Sequence, residues 1–295
     1  MSVLDRSRRR PGGKARRVAR RVELHHPDQL WWPGLGLRKR DAFSYYDAIA
    51  PVLLPHLRDR PFTLKRHFNG PRSPFRWLKD RPPEAPDWIR TTPQPAKSRG
   101  GAMVSYVLVN DRATLLWLVD YGCVDLHVWT SRADRPERPD LVLLDLDPDP
   151  AGGPFAAVAE AALVVREALD GLGLHGYPMT TGGDGIHVRV PIARRYSYED
   201  VRDFARVIAE TLARVGAVGV KLDVKMNGHG QQIVAPYSIR PVPTAAVATP
   251  LDWGEVDDDL DPAAFTPPLV LTRVAERGDL ARPLLRARQS LAAAV

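Results

Sequence analysis

Residues 141–150 read LVLLDLDPDP, an apolar run of strand length that carries two acids near its end and stops in prolines. Successive side chains on a strand point to opposite faces, so Asp145 and Asp147 share one face. Two residues apart on a strand, they sit about 7 Å from each other. Paired carboxylates at that spacing suit hard divalent ions shared with substrate phosphates, as in phosphoryl transfer. The same residues also suit a solvated strand end leading into a proline turn, where Asp149 belongs.

Outward from this strand the chain mixes helices and strands without strict alternation. Helices are expected over residues 39–54, ending before Pro55, and over 113–119, 154–170, about 198–214 and about 272–290. Ser197 with Asp200 three residues on reads as a capping box that opens the fourth of these. Strands are expected over 103–109, 124–129, 141–146 and 186–192. Two more, 220–224 and 232–237, flank the Asn227-Gly228 turn signal. Residues 67–100, rich in Pro, Arg and aromatics, read as long ordered loops. This pattern points to an α+β fold with mixed or antiparallel sheets flanked by helices.

Two further stretches bear chemistry. In TTGGDGIHVRVPI, residues 180–192, clustered glycines let backbone amides approach an anion, and Thr181 adds a hydroxyl. His187 and Arg189 share a face of the strand that follows. A triphosphate suits this arrangement; so does a glycine-rich hairpin with a core histidine. In KLDVKMNGHGQQIVAPYSIRP, residues 221–241, Asp223 stands among apolar neighbours, where an unpaired charge is costly. It calls for a metal ion shared with Asp145 and Asp147, or for an arginine. Ser238 and Arg240 form a second phosphate-directed pair.

The chain has 295 residues, 44% hydrophobic and 26% charged, the profile of a soluble globular protein. Its one cysteine excludes an internal disulfide and a cysteine-built zinc site, and suits a reducing cytosol. No apolar run approaches the roughly 20 residues of a membrane span, and the N-terminus lacks a secretory core. Residues 1–22 hold nine basic residues and one acidic, so 1–21 are expected to be a disordered basic tail before a folded domain over 22–295. Residues 36–100 carry 14 basic and 6 acidic residues, whereas 101–295 carry 19 basic and 26 acidic. A basic front and an acidic back result.

Taken in order, the three motif stretches resemble the archaeo-eukaryotic primase superfamily. They are most similar to the polymerase domain of bacterial DNA ligase D and its stand-alone Prim-Pol relatives. The similarity extends through VELHHPDQLWWPGLGLRKRD at the front, YVLVNDRATLLWLVDYGCVDLHVWTSR in the middle and APYSIRPVPTAAVATPLDWGEV late in the chain. It implies the primase-like polymerase fold and a template-dependent nucleotidyltransferase. It implies that Asp145, Asp147 and Asp223 hold two Mg²⁺ or Mn²⁺ ions, and that Thr181, His187, Ser238 and Arg240 hold an incoming NTP or dNTP. It implies that Lys39 grips a 5′-phosphate at a gap or broken DNA end and that Trp77 stacks on the template, with Lys65 and Arg66 as backbone contacts. A ribonucleotide preference, action beside Ku and a separate DNA ligase, and a cytoplasmic, nucleoid-associated location in a bacterium are implied as well.

Several positions depart from the family pattern. Asp184 stands where a lysine is common, and Gln231 and Gln29 replace lysines. Arg76 replaces an aromatic beside Trp77. The expected activity is primer extension at gaps or double-strand breaks during repair. De novo priming, a non-catalytic DNA-end-binding module and a metal-dependent phosphoesterase are the alternatives. The length leaves no room for a ligase or nuclease domain, so a stand-alone gene product or an excised fragment is expected, and Met1 before the tail favours the former. Deleting residues 1–21 should weaken DNA binding at low salt and spare catalysis, as read from binding isotherms across salt and primer extension. An inactive truncation would contradict this.

Overall fold

The computed structural model describes residues 20–96, 99–150, 153–216 and 219–291. The expected tail lies outside these, apart from Arg20 and Arg21. In the first half the elements are β1 (Leu30–Trp32), β2 (Leu37–Arg38), α1 (Lys39–Leu57), β3 (Pro61–His67), β4 (Phe75–Leu78), β5 (Thr91–Ala96), β6 (Ala102–Leu108) and α2 (Arg112–Asp120). Next come β7 (His127–Val128), β8 (Ser131–Arg132), β9 (Arg135–Pro139), β10 (Leu141–Pro148) and α3 (Phe155–Gly171). The last are β11 (Tyr177–Thr180), β12 (Ile186–Pro191), α4 (Tyr198–Arg214), β13 (Val220–Leu222), β14 (Ile233–Val234) and α5 (Pro267–Arg277).

Two sheets organise the chain. One has four strands in the order β11-β12-β10-β13; the other runs β14-β7-β3-β6-β5, with β4 paired to β3. Every ladder among the described residues is antiparallel. Helices α3 and α4 pack on β10, and α1 packs on α2 and α5. The architecture is therefore the α+β arrangement expected from the sequence. One buried cluster runs from Trp31 to Leu291 and draws on both sheets. Leu141 to Leu146 are buried on both faces of β10, which makes this strand the axis of the smaller sheet.

Local signals explain most element ends. Ser197 caps α4 as expected: its hydroxyl accepts from Asp200 N–H, and the Asp200 carboxylate accepts from Ser197 N–H. Helix α1 outruns its expected end and includes Pro51 and Pro55. Both prolines lie four apart on the exposed face, where water can satisfy the carbonyls that lose their partners, while Leu53 and Leu57 are fully buried. Residues 67–100 are not only loops, because β4 and β5 form there against β3 and β6. The last helix lies earlier than expected, over Pro267–Arg277, with a short 3₁₀ turn at Arg282–Leu285.

The hairpin expected around Asn227-Gly228 does not form. β13 joins the four-stranded sheet and β14 the other, with a 3₁₀ turn at Val224–Asn227 between them. The buried Asn227 amide has a different task. Its Oδ1 accepts from Leu143 N–H at 2.8 Å and its Nδ2 donates to Leu143 O at 2.7 Å. It thereby continues the β10 ladder where β13 has ended. Asn227→Leu should cost about 2–4 kcal/mol in urea unfolding, since two buried backbone groups lose their partners. A loss below measurement error would show that β10 does not need this bridge.

Candidate active site

The carboxylates meet at the end of β10. Asp145 lies directly opposite His187 of β12, and its carbonyl accepts from Asp223 N–H at 2.9 Å just past β13. Residues opposite one another on antiparallel strands present side chains to the same face. Asp147 follows two residues later on that face. His187 on β12, Asp145 on β10 and Asp223 just past β13 therefore form a row, with Asp147 beside it. Asp223 is not the mid-strand residue expected, because β13 stops at Leu222. Its carboxylate accepts from Lys225 N–H at 2.9 Å and lies 3.7 Å from Lys221 Nζ.

The acids of this row differ in their environment. Burial alone would raise the Asp145 carboxyl, but the His187 imidazole, 2.9 Å away, and the more distant charges of Arg189 and Arg240 hold it below the usual range. Asp147 goes the other way, pushed up to about 6 by burial and by repulsion from Asp145, Asp184 and Asp223. His187 is held below its ordinary value by burial, despite the opposing pull of Asp145. Arg189 Nη2 lies 3.4 Å from His187 Nδ1, and a guanidinium can only donate. Nδ1 is therefore the acceptor, and Nε2 carries the proton that faces Asp145.

The glycine-rich turn between β11 and β12 closes over this row. Thr181 Oγ1 accepts from Gly183 and Gly185 N–H, each at 3.3 Å. A Cβ on Gly185 would fall 2.5 Å from Asp147 Oδ1 and 2.8 Å from Leu146 O, so only glycine fits. Arg240 reaches the turn from the segment that follows β14, and its Nη1 donates to Thr181 O at 2.8 Å. Ser238 is placed differently from Arg240. It is fully buried, and its hydroxyl accepts from Leu126 N–H at 2.8 Å. Among the described residues, no three His, Cys, Asp or Glu side chains are gathered as a ready coordination group. The unbalanced negative charge around Asp147 is what fits a hard cation here.

A family model for the LigD primase-polymerase domain matches residues 38–281. The chain belongs to that family. It is 32% identical over 280 residues to the multifunctional non-homologous end joining protein LigD of Mycolicibacterium smegmatis, covering 90% of this chain and 36% of that protein. It is 30% identical over 254 residues to the bifunctional LigD of Bacillus subtilis, covering 81% of this chain and 40% of that protein. The chain thus spans well under half the length of these curated relatives. Among solved structures, the polymerase domain of Mycobacterium tuberculosis ligase D in complex with DNA matches with a TM-score of 0.83. That match has 28% identity and covers 91% of this chain and 99% of the other. The antiparallel LigD polymerase fold is therefore this chain's fold.

The basic front of this LigD-family chain divides into two places. A cavity of about 740 Å³ is lined by Lys39, Arg66, His25, His26 and Gln29, among others. Lys39 Nζ pairs there with Asp120 at 2.7 Å, and Asp120 also accepts from His25. Arg66 lies 3.7 Å over the Tyr121 ring and bonds the Tyr121 hydroxyl at 2.7 Å. The second place is a cavity of about 410 Å³ beside Trp77, Tyr106, His127 and Gln231. Trp77 is 45% exposed and meets Phe75 and His127 edge to face. Lys65 points inward, with its ammonium 2.7 Å from the buried Asp125.

Asp120 and Asp125 were not among the site residues expected from sequence. Asp125 lies in the apolar run VDLHVW, residues 124–129, and carries the signal that singled out Asp223: an acid with apolar neighbours on a strand. Among the described residues, no helix is long and apolar enough to cross a membrane.

A raised carboxyl destabilises the folded state once it ionises, because the folded chain holds the proton that the unfolded chain has released. For Asp147 this penalty should set in as pH rises from about 4 and be complete above about 6. Asp147→Asn should therefore raise the melting temperature at pH 7.5 in chelator and give no gain at pH 4. An equal gain at both values would exclude charge repulsion as the cause.

Proposed function

We propose that this chain is a template-dependent nucleotidyltransferase that extends a primer strand at gaps or broken ends of DNA in end-joining repair. The single observation that carries this reading is the row of Asp145, Asp147 and Asp223 at one strand end, faced by His187 and roofed by the Thr181 turn. A hard-oxygen set with surplus negative charge suits Mg²⁺ or Mn²⁺. When bound, the ions would offset the negative charge of the reacting phosphates and make the primer 3′-hydroxyl easier to deprotonate. Asp145, Asp147 and Asp223 would hold them. The relatives' names, which specify non-homologous end joining, support the repair context.

The protein's own groups position the reactants. The primer 3′-hydroxyl gives its proton to solvent and its oxygen bonds the nucleotide α-phosphorus as the bond to the leaving pyrophosphate breaks. His187 stands beside the triphosphate and steadies Asp145 from Nε2, while Arg240 and the Thr181 hydroxyl face the triphosphate at the turn. Trp77, exposed beside its cavity, offers a ring face or edge to a templating base. Lys39 and Arg66 line a cavity suited to the 5′-phosphate across a gap, where Arg66 supplies a positive charge that Gln29 does not. Lys65 and Ser238 support the site from within rather than touching substrate. A ribonucleotide preference and cooperation with Ku and a separate ligase belong to the same reading.

The test is primer extension on a 5′-phosphorylated gapped duplex with all eight nucleotides, in Mg²⁺ and in Mn²⁺. Wild type should extend, and Asp223→Asn should lose extension by about three orders of magnitude while still binding the duplex. If wild type and Asp145→Ala bind equally and neither adds nucleotides, the chain is a DNA-end-binding module. Products on unprimed template alone would instead mark a primase.

A further inference from the structure

Asp125 is the most enclosed acid near the site, with no exposed surface. It stands just before β7, close to where β3 carries Lys65, because Thr63 pairs with His127 in the ladder between them. Its Oδ2 accepts from Lys65 Nζ at 2.7 Å. Its Oδ1 lies 3.0 Å from His127 Nε2 and 3.2 Å from Arg240 Nε. Neither of these two contacts has hydrogen-bond geometry. Burial would raise the Asp125 carboxyl, but His127, Arg240 and Lys65 together hold it far below the usual range.

The groups around Asp125 lead in two directions. Arg240 crosses to the glycine-rich turn, with Nε toward Asp125 and Nη1 on Thr181 O. Its stem also fills the space beside Gly182, where a Cβ would lie 2.6 Å from Arg240 Cγ. The guanidinium is thus held by a hydrogen bond at Nη1 and by the adjacent Asp125 carboxylate at Nε. Toward the other cavity, the Lys65 ammonium lies 4.6 Å from the Phe75 ring centre and 5.6 Å from that of Trp77. The His127 ring meets Trp77 at 5.0 Å. One carboxylate thus touches groups that lead to the triphosphate turn and to the exposed aromatic wall.

We infer that Asp125 is a positioning residue, which fixes the Arg240 fork for the nucleotide and seats Lys65 and His127 behind the template-facing wall of Trp77. It touches no substrate and acts through these three side chains. This inference rests on the proposed nucleotidyl transfer, but nucleotide binding reads it separately from chemistry. Asp125→Asn keeps the shape and removes the charge that holds the fork. A buried acid could also matter through folding alone, so the discriminating quantity is its coupling to Arg240.

The experiment is a double-mutant cycle over wild type, Asp125→Asn, Arg240→Ala and the double variant. ATP affinity with Mg²⁺ is measured by calorimetry, and KM and kcat by primer extension. Asp125→Asn should weaken ATP binding and raise KM about tenfold with a smaller change in kcat, and the same change after Arg240→Ala should do less than about twofold. Independent, multiplying effects, or an Asp125→Asn affinity equal to wild type, would overturn the inference. If Asp125→Asn alone unfolds because its cations are left unpaired, Asp125→Asn with Lys65→Met restores the charge balance. That variant should still bind ATP weakly, and wild-type affinity in it would equally overturn the inference. Should wild type bind ATP but fail to extend any primer, the proposed reaction falls, while the calorimetric cycle still tests the coupling.

Discussion

Strand β10 must bury apolar side chains on both faces along most of its length and then present carboxylates at its end. Everything near the site follows from that constraint. With Leu141 to Leu146 enclosed, the strand cannot slip by one residue without sending Asp145 into the opposite side of the sheet. The fixed register sets His187 against Asp145 on one side and brings Asp223 beside it on the other. Asn227 completes the ladder on the side where β13 is short. The site is thus an outcome of sheet pairing, and the glycine at position 185 is the adjustment that lets a turn close over the carboxylates.

Two aspartates show how differently the same side chain can be used. Asp125 is completely enclosed yet strongly acidic, because an ammonium, a guanidinium and an imidazole surround it. Asp147 is less enclosed yet has its carboxyl pushed up to about 6, by burial and by the other acids beside it. The first is electrostatically satisfied within the protein and belongs to its framework. The second is satisfied only by a proton or by a cation from outside. Perturbed groups of the second kind mark places where ligands bind.

The parts of this arrangement that depend on local periodicity were legible in the sequence. The two-residue spacing of Asp145 and Asp147, the capping box at Ser197 and the glycine-rich turn before His187 each depend on neighbours within a few residues. The rest depended on distant partners. Asn227-Gly228 carries a hairpin signal, but its amide finds two unpaired groups on β10, and the flanking strands join different sheets. Lys65 sits in a basic segment that suggests an open DNA face, yet Asp125, 60 residues away, draws it inward. Asp125 itself passed unnoticed because an acid in an apolar run declares its need for a partner without naming one. Residues 67–100 looked like loops because β4 and β5 are edge-like strands whose prolines and arginines hide their pairing.

The charge polarity of the chain has a counterpart in this geometry. The basic front supplies Lys39 and Arg66 to one cavity and the neighbourhood of Trp77 to another, while the acidic back supplies the row on β10. Sheet pairing gathers the acids of this row and leaves it short of positive charge, which a divalent ion would supply. Electron paramagnetic resonance of Mn²⁺, titrated with wild type and with Asp147→Ala, tests it most directly. Wild type should bind Mn²⁺ saturably and Asp147→Ala should lose that binding; equal binding by both proteins would exclude a divalent ion held by this row.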